Sequence, residues 1–119
     1  MEKKSLDPRK KRGAAAEELV ARYCVVRGYR IVERNWRRAE GEIDIIAEKE
    51  GVLYFIEVRS RSQKEFGEPV ESITAAKKKQ MLKMAAIYLQ ELGGERECSL
   101  ALAAVRLDKN EVRLILDMF

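Results

Sequence analysis

The chain has 119 residues, of which 46% are hydrophobic and 37% are charged, with a formal net charge of +4 and no histidine. This length and composition predict one folded domain with a single core and a heavily charged surface. The absence of histidine excludes Ser-His-Asp and Cys-His nucleophile systems, histidine general bases and histidine-based zinc sites. A positive charge of this size permits binding to a polyanion but does not require it.

The sequence shows no signal for a membrane or for secretion. No apolar run approaches the roughly 20 residues of a membrane span, and no apolar stretch follows the basic residues near the start. We therefore expect a cytoplasmic protein that does not enter the membrane. Cys24 and Cys98 lack C-x-x-C spacing and lie among apolar residues, which predicts two buried free thiols.

The order of patterns along the chain predicts the fold class. Residues 1–12 are basic and aperiodic, which indicates a flexible basic N-terminal arm before a single domain of residues 13–119. The elements expected in that domain are a helix over residues 13–27, a strand over 29–36, a hairpin over 41–59, a polar loop over 60–70, a helix over 72–92 and strands over 98–107 and 111–116. Helix, three strands, helix and two strands make an α/β (α+β) fold with a mixed central sheet.

The hairpin carries acidic residues within strands whose neighbours are strongly apolar. A two-residue turn at Glu50-Gly51 sets Asp44 directly opposite Glu57. Directly opposed Cβ atoms lie about 4.5–5.5 Å apart, and two carboxylates at that separation repel by roughly 3 kcal/mol at an effective dielectric constant of about 20. The pair therefore requires compensating positive charge.

Two kinds of positive charge could supply this compensation. A divalent cation bridging Asp44 and Glu57 would make a catalytic site. Alternatively, Arg59, which the same register sets opposite Glu42, could be shared among the carboxylates as a structural ion-pair network. A metal bound without histidine would take carboxylate, carbonyl and water ligands, which favours Mg²⁺ or Mn²⁺.

Basic and aromatic residues near the hairpin admit two interpretations. Trp36 beside neighbouring arginines could stack on a base or a sugar, or it could be a half-buried edge aromatic, which we favour. Lys77 lies one helical turn beyond Ile73 and is expected near the hairpin, although a run of lysines is usually a solvated face. Glu17 lies on the N-terminal turns of the first helix, where the helix dipole alone favours a carboxylate.

An ordered set of motifs covers nearly the whole folded part of the chain: Gly13-x-x-x-Glu17, Asn35, Gly41-Glu42-Ile43-Asp44-Ile45-Ile46, Phe55-Ile56-Glu57-Val58-Arg59-x-Arg61, Phe66-Gly67 and Lys77. With this set the sequence resembles the YraN-like family of uncharacterised bacterial proteins, members of the PD-(D/E)XK nuclease superfamily that are similar to archaeal Holliday-junction resolvases. The resemblance implies a restriction-endonuclease-like αβββαβ core, a central mixed sheet flanked by helices, with the active site at the hairpin.

The resemblance also implies roles for individual residues. Glu17 matches the acidic residue of the first helix, Asp44 the motif aspartate and Glu57 the acidic residue of the E-x-K signature, and these three would bind Mg²⁺ or Mn²⁺. Arg59 stands where most nucleases of the superfamily have lysine. Arginine keeps the charge and can bind phosphate through two parallel hydrogen bonds, but it cannot act as a base. It would therefore serve as an electrostatic stabiliser.

These implications favour a Mg²⁺-dependent nuclease that hydrolyses phosphodiester bonds in branched or single-stranded DNA. The basic arm and four side chains would contact the nucleic-acid backbone: Arg37, Arg38, Arg61 and Lys77. One alternative is a catalytically silent nucleic-acid-binding module in which Arg59 pairs permanently with Glu42 or Glu57, and a weaker one is a protein-interaction scaffold. The similarity to resolvases suggests a homodimer, which the apolar C-terminal strands would allow.

Overall fold

The computed structural model describes residues 8–61 and 74–116, and among these the side chains of residues 13–61 and 74–116. In chain order the elements are helix α1 (Pro8–Val26), strands β1 (Arg30–Arg38), β2 (Gly41–Lys49) and β3 (Val52–Ser60), helix α2 (Ala75–Leu92), strand β4 (Cys98–Arg106), a turn of 3₁₀ helix (Leu107–Lys109) and strand β5 (Glu111–Leu116). The five strands form one sheet in the order β1-β2-β3-β4-β5. Only β3 and β4 pair in parallel among them, so the predicted mixed sheet is confirmed.

Helix α1 begins earlier than the sequence predicted. Its first residue is Pro8 rather than Gly13, so residues 8–12, which we expected at the end of a flexible arm, are helical. Proline is well suited to the first helical position because the N–H that it lacks would have no intrahelical partner there. Residues 1–7, the rest of the predicted arm, lie outside the described part of the chain.

The sheet separates two apolar clusters, one beneath each helix. The cluster under α2 includes Trp36, Ile43, Ile46, Leu53, Phe55, Met81, Met84 and Tyr88. The cluster under α1 includes Ala16, Val20, Cys24, Tyr29, Ile45, Ile56, Ala101, Ala103 and Val105. Both helices thus bury one apolar stripe against the sheet, as expected of amphipathic helices.

The two cysteines are free thiols, as predicted. Cys24 is fully buried under α1, and this burial raises the pKa of its thiol to about 11. Cys98 is only half-buried at the start of β4, so the expectation that both thiols are buried holds for Cys24 alone. At neutral pH the Cys24 thiol is protonated and packs as an apolar group.

The hairpin of β2 and β3 has the predicted register. Lys49 pairs with Val52, and regular pairing continues as far as Ile45 and Ile56. The turn residues Glu50 and Gly51 have φ values of +52° and +81°. Positive φ at both central residues is typical of a type I′ turn, whose twist matches that of an antiparallel hairpin.

Strand β3 lies at the centre of the sheet, and its backbone is fixed on both sides. Its parallel pairing with β4 runs from Leu53–Cys98 to Ser60–Val105 and continues past the point where its pairing with β2 stops. The end of β3 that carries the candidate site is therefore held by β4.

Several predicted segments lie beyond the described residues. They are most of the polar loop over residues 60–70, the first residues of the second predicted helix and the last three residues of the chain. Within the two described ranges, neither helix is long and apolar enough to cross a membrane.

Candidate functional site

Asp44 lies where strand β2 breaks its regular alternation. Ile43 packs in the cluster under α2, whereas Ile45 packs in the cluster under α1. Residues two apart on a regular strand point to the same face, so the alternation is broken at the residue between them, although the pairing with β1 keeps one register on both sides of it. Asp44 Oδ2 accepts a hydrogen bond of 2.8 Å from the backbone N–H of Val58. The break therefore directs the Asp44 carboxylate across the hairpin onto β3.

Strand β1 has a matching irregularity at Asn35, which lies opposite Asp44 between two regular backbone pairs. Asn35 has a φ of +52°, a left-handed conformation that asparagine tolerates better than most residues. Its side chain lies near the carboxylate of Glu17 on α1 and opposes the rise that burial causes in the pKa of that group. Asn35 belongs to the motif set of the sequence, where it had no role, and in the structure it lies between Glu17 and the strand break.

The carboxyl groups of Asp44 and Glu57 come into contact, although the regular β2–β3 pairing stops one residue before each of them. Burial raises the pKa of Asp44 to about 7, with further contributions from the contact with Glu57 and from the charge of Glu17, although the N–H of Val58 opposes the shift. Two carboxyl groups can hydrogen-bond only when one of them carries a proton. Below about pH 7 the pair therefore holds a proton where a metal ion could bind.

Within residues 8–61 and 74–116, the cation nearest to Glu57 comes from helix α2. Lys77 Nζ lies 3.1 Å from Glu57 Oε2, whereas Arg59 Nη2 lies 3.8 Å from the same oxygen. Lys77 Nζ also donates a 3.2 Å hydrogen bond to Gln80 Oε1. Sequence analysis expected Lys77 near the hairpin but treated it as a backbone-phosphate contact, and it gave no signal for Gln80.

The predicted pairing of Glu42 with Arg59 is wrong. The β2–β3 ladder stops at Ile45–Ile56, before these two positions. Glu42 instead pairs across to β1, with its Oε2 3.1 Å from Arg37 Nη2. The twist that redirects Asp44 also removes the register from which that pairing was extrapolated.

Two of the three predicted metal ligands come together. Within the described residues, no group of three or more acidic or cysteine side chains is close enough to hold a metal ion, so Glu17 does not join Asp44 and Glu57 in such a group. Burial raises the pKa of Glu17, and the side chain of Asn35 opposes that shift. The pair alone suits Mg²⁺, which commonly binds one or two carboxylates and retains several waters.

The pair lies at a polar cavity of about 380 Å³, lined by Arg37, Arg38, Gly41, Glu42, Asp44, Glu57, Lys77 and Gln80. Three of the four predicted nucleic-acid contacts are in this lining. The fourth, Arg61, is outside the lining in the described part of the chain, and its backbone N–H bonds to Val105 O at 2.7 Å. Arg37, Arg38 and Lys77 are the cationic rim of this cavity, which Glu42, Asp44 and Glu57 also line.

The two arginines at the rim are already engaged by acidic side chains. Arg37 pairs with Glu42, and Arg38 makes two hydrogen bonds of 2.8 and 2.5 Å to Glu91 of α2. The guanidinium of Arg38 also lies 4.6 Å from the ring centroid of Trp36. Trp36 is only 6% exposed, so it is a core aromatic and is not available to stack on a base.

Gly41 allows helix α2 to approach this edge of the sheet. Its φ is +152°, and a Cβ atom there would lie 2.6 Å from Gln80 Nε2. Any larger residue would push against Gln80, which in turn contacts Lys77. A glycine at the start of β2 therefore helps to set the position of the lysine in the cavity.

Comparison with known proteins now identifies the family. The family described as "Uncharacterised protein family UPF0102" matches residues 16–112 of this chain. The chain belongs to UPF0102. The matched span contains Glu17, Asp44, Glu57 and Lys77. The acid pair and its charged neighbours therefore lie in the part of the chain that matches the family.

Relatives from several bacteria support this membership. A UPF0102 protein of Symbiobacterium thermophilum is 45% identical over 83 residues, covering 70% of each chain. A UPF0102 protein of Chlorobium phaeobacteroides is 43% identical over 94 residues, covering 78% of this chain and 74% of its own. A UPF0102 protein of Moorella thermoacetica is 42% identical over 104 residues, covering 87% of each.

Proposed function

We propose that this UPF0102 protein is a nuclease of the PD-(D/E)XK superfamily that hydrolyses phosphodiester bonds in DNA with Mg²⁺ or Mn²⁺. The observation that carries the proposal is the contact between the Asp44 and Glu57 carboxyl groups, with the pKa of Asp44 raised to about 7, in a cavity whose rim is cationic. Strongly shifted acids in a polar cavity are typical of sites that hold a metal ion or transfer protons.

The chemistry follows from what these groups can hold. Asp44 and Glu57 would bind the cation, which supplies a Lewis acid and lowers the pKa of a bound water. Lys77 and Arg59 would neutralise the negative charge that develops on the phosphate, since both lie against Glu57. In the overall reaction water adds to phosphorus, the bond to one ester oxygen breaks and that oxygen takes a proton, giving a phosphomonoester and an alcohol.

A second candidate is a catalytically silent nucleic-acid-binding module. It is favoured by the ion pairs of Glu57, because Lys77 and Arg59 already compensate its charge. In this case the acid pair stays protonated and the cationic rim alone binds the phosphate backbone. Binding of that kind falls steeply as salt is added, since phosphate contacts release counterions.

Cleavage assays on branched, flapped and linear DNA with Mg²⁺ or Mn²⁺ test the proposal. We expect Asp44→Asn and Glu57→Gln each to reduce the rate by roughly 100-fold or more, the size of effect seen when one transition-state-stabilising group is removed. Glu48→Gln is the matched control, because Glu48 lies on the same hairpin and is paired with Arg30 outside the cavity. Its rate should stay close to that of the native chain.

The outcomes separate the two candidates. Equal cleavage by the native chain, Asp44→Asn and Glu57→Gln would eliminate the nuclease. Salt-dependent DNA binding by a native chain that cleaves none of the three substrates with either metal would support the silent module. Chelation with EDTA provides a further check, because it should abolish cleavage and leave binding by the cationic rim in place.

A further inference from the structure

We propose that Lys77 of helix α2, rather than Arg59 of β3, is the positioning cation that pairs with the Glu57 carboxylate and orients it beside Asp44. The proposal deepens the nuclease function and rests on it, because it assigns to Lys77 the place that the resemblance gave to position 59. Lys77 acts through Glu57, and its ammonium faces the cavity in which a phosphate group would bind.

The distances to Glu57 separate the two cations. Lys77 Nζ, at 3.1 Å from Glu57 Oε2, is within hydrogen-bonding range, whereas Arg59 Nη2, at 3.8 Å, is beyond it. A hydrogen-bonded ion pair fixes the orientation of a carboxylate, while a longer contact contributes only its charge. Lys77 also lines the cavity, and Arg59 is not among the lining residues in the described part of the chain.

Lys77 is held in place at both its main chain and its ammonium. Its backbone N–H donates to Thr74 Oγ1 at 3.2 Å, the capping bond of α2. Its Nζ donates to Gln80 Oε1, and Gln80 packs closely against Gly41. An ammonium has three N–H donors, and within the described residues Glu57 and Gln80 use two of them. The third can serve a phosphate oxygen or a water.

The burial of Glu57 makes such a partner necessary. Its side chain is 14% exposed, and a carboxylate removed from water is stable in its charged form only when it is paired. The other lysines of α2, Lys78, Lys79 and Lys83, form no ion pair with an acid in the described ranges. Lys77 therefore differs from its neighbours, which follow the usual pattern of a solvated basic face.

A double-mutant cycle on thermal unfolding of the full chain in EDTA at pH 7.5 tests the pairing. We expect Lys77→Met to lower the melting temperature by about 5–10 °C, the range for breaking a partly buried ion pair. In the Glu57→Gln background the same change should lower it much less, because the buried charge is gone. The matched control Lys83→Met, an exposed position on the same helix, should shift it by less than about 3 °C.

Two results of this cycle would overturn the proposal. One is additivity of the Lys77→Met and Glu57→Gln losses, which would show that the two side chains do not interact. The other is a larger loss for Arg59→Met than for Lys77→Met, which would return the role to β3. The cycle needs neither metal nor DNA, so it decides the role of Lys77 even if the chain proves to have no nuclease activity.

Titration with Mn²⁺ measures the metal affinity, and the loss of a lysine that only supports the fold would not increase this affinity. Removing a positive charge next to the acid pair should strengthen Mn²⁺ binding by at least about fivefold in Lys77→Met. Lys77→Arg keeps the charge and should stay within about twofold of the native affinity. Weaker Mn²⁺ binding by Lys77→Met would contradict the proposal, because it would mean that the lysine supports the fold of the site rather than its charge balance.

Cleavage rates complete the test. Lys77→Met should cleave more slowly although it binds Mn²⁺ more tightly, and Lys77→Arg should recover part of the rate. If the native chain binds no Mn²⁺ and cleaves no DNA, the proposed function fails, while non-additive melting losses would still place Lys77 on Glu57.

Discussion

The two ends of the β2–β3 hairpin shift the pKa of a carboxyl group in opposite directions. At the turn end, Glu48 accepts hydrogen bonds from Arg30 and Arg96, and these lower its pKa. At the open end, burial raises the pKa of Asp44 to about 7. An acidic residue of this hairpin therefore forms a structural ion pair where arginines compensate its charge. Where burial exceeds that compensation, the acidic residue is a candidate reactive group.

The neighbours of each acid explain the contrast. Arg96 also donates to the carbonyl of Gly51 at 3.1 Å, so it joins β2, the turn and the segment before β4. At the open end the cations contact Glu57 rather than Asp44. Among the residues that the structure describes, the Val58 N–H is the one donor that stabilises the charged form of Asp44. At the turn end two arginines compensate the charge of the acid. At the open end an acid remains that can exchange a proton or bind a cation.

The largest expected effect is the pH dependence that Asp44 gives to stability. The folded protein keeps this proton up to about pH 7, whereas an ordinary aspartate loses it near 3.8. The folded state therefore binds more protons between these values, so the contribution of Asp44 is full below about pH 4 and is lost as the pH rises towards 7. Asp44→Asn should be more stable than the native chain at pH 8 by up to about 4 kcal/mol, and similar at pH 4.

Urea unfolding in EDTA between pH 4 and 8 measures this difference. Glu48→Gln provides the opposite case, because the pKa of Glu48 is lowered and its contribution is present at high pH and lost as the pH falls. The variant should lose stability at pH 8, and the loss should shrink only as the pH falls below the ordinary glutamate value of 4.5. Parallel pH profiles for the two variants would mean that the ends of the hairpin do not differ.

Glycine-to-alanine substitutions at the two ends of the hairpin should reduce stability by different amounts. Gly41→Ala combines a φ of +152° with a Cβ atom 2.6 Å from Gln80 Nε2, and we expect it to destabilise the fold by about 2–3 kcal/mol. Gly51→Ala has a φ of +81° and open space around the new methyl group, so it should lose about 1 kcal/mol. Chemical denaturation of both variants measures the order, and equal losses would show that the approach of α2 to Gly41 is not tight.

The smallest expected effect is at the arginines of the turn end. Arg96→Met removes a side chain that contacts both Glu48 and the turn, whereas Arg30 is 68% exposed and contacts Glu48 from the surface. Arg96→Met should therefore lower the melting temperature by a few degrees and Arg30→Met by less. Both losses should shrink in 1 M salt, and a loss that is independent of salt would indicate packing rather than charge.

The hairpin was predictable because its register follows from one turn and the alternation of apolar residues. Glu50-Gly51 sets the pairing from Lys49–Val52 to Ile45–Ile56, which brings Asp44 and Glu57 to the same end of the hairpin. The strand break at Asp44 was not predictable from alternation, because it depends on a left-handed Asn35 in the neighbouring strand. The alternation of side chains along one strand extends a predicted strand pairing, but it cannot show where a neighbouring strand interrupts that pairing.

Contacts between distant segments account for what the sequence did not reveal. Arg38 pairs with Glu91 across a separation of 53 residues, and Lys77 reaches Glu57 only because α2 docks beside β2. The docking distance depends on the packing of whole side chains, including the absence of one at Gly41. The spacing of residues along one element therefore predicts which acids form the site. Which cations pair with these acids depends on tertiary packing.

The parallel pairing of β3 with β4 has a consequence for the order in which the site assembles during synthesis. A hairpin with a two-residue turn forms within microseconds, so Asp44 and Glu57 can meet soon after β3 leaves the ribosome. Strand β4 and the ammonium of Lys77 become available only after further translation, and non-local pairing is slower to form. The nascent hairpin therefore begins with Arg59 beside Glu57 but without Lys77, and the docking of α2 completes the cavity.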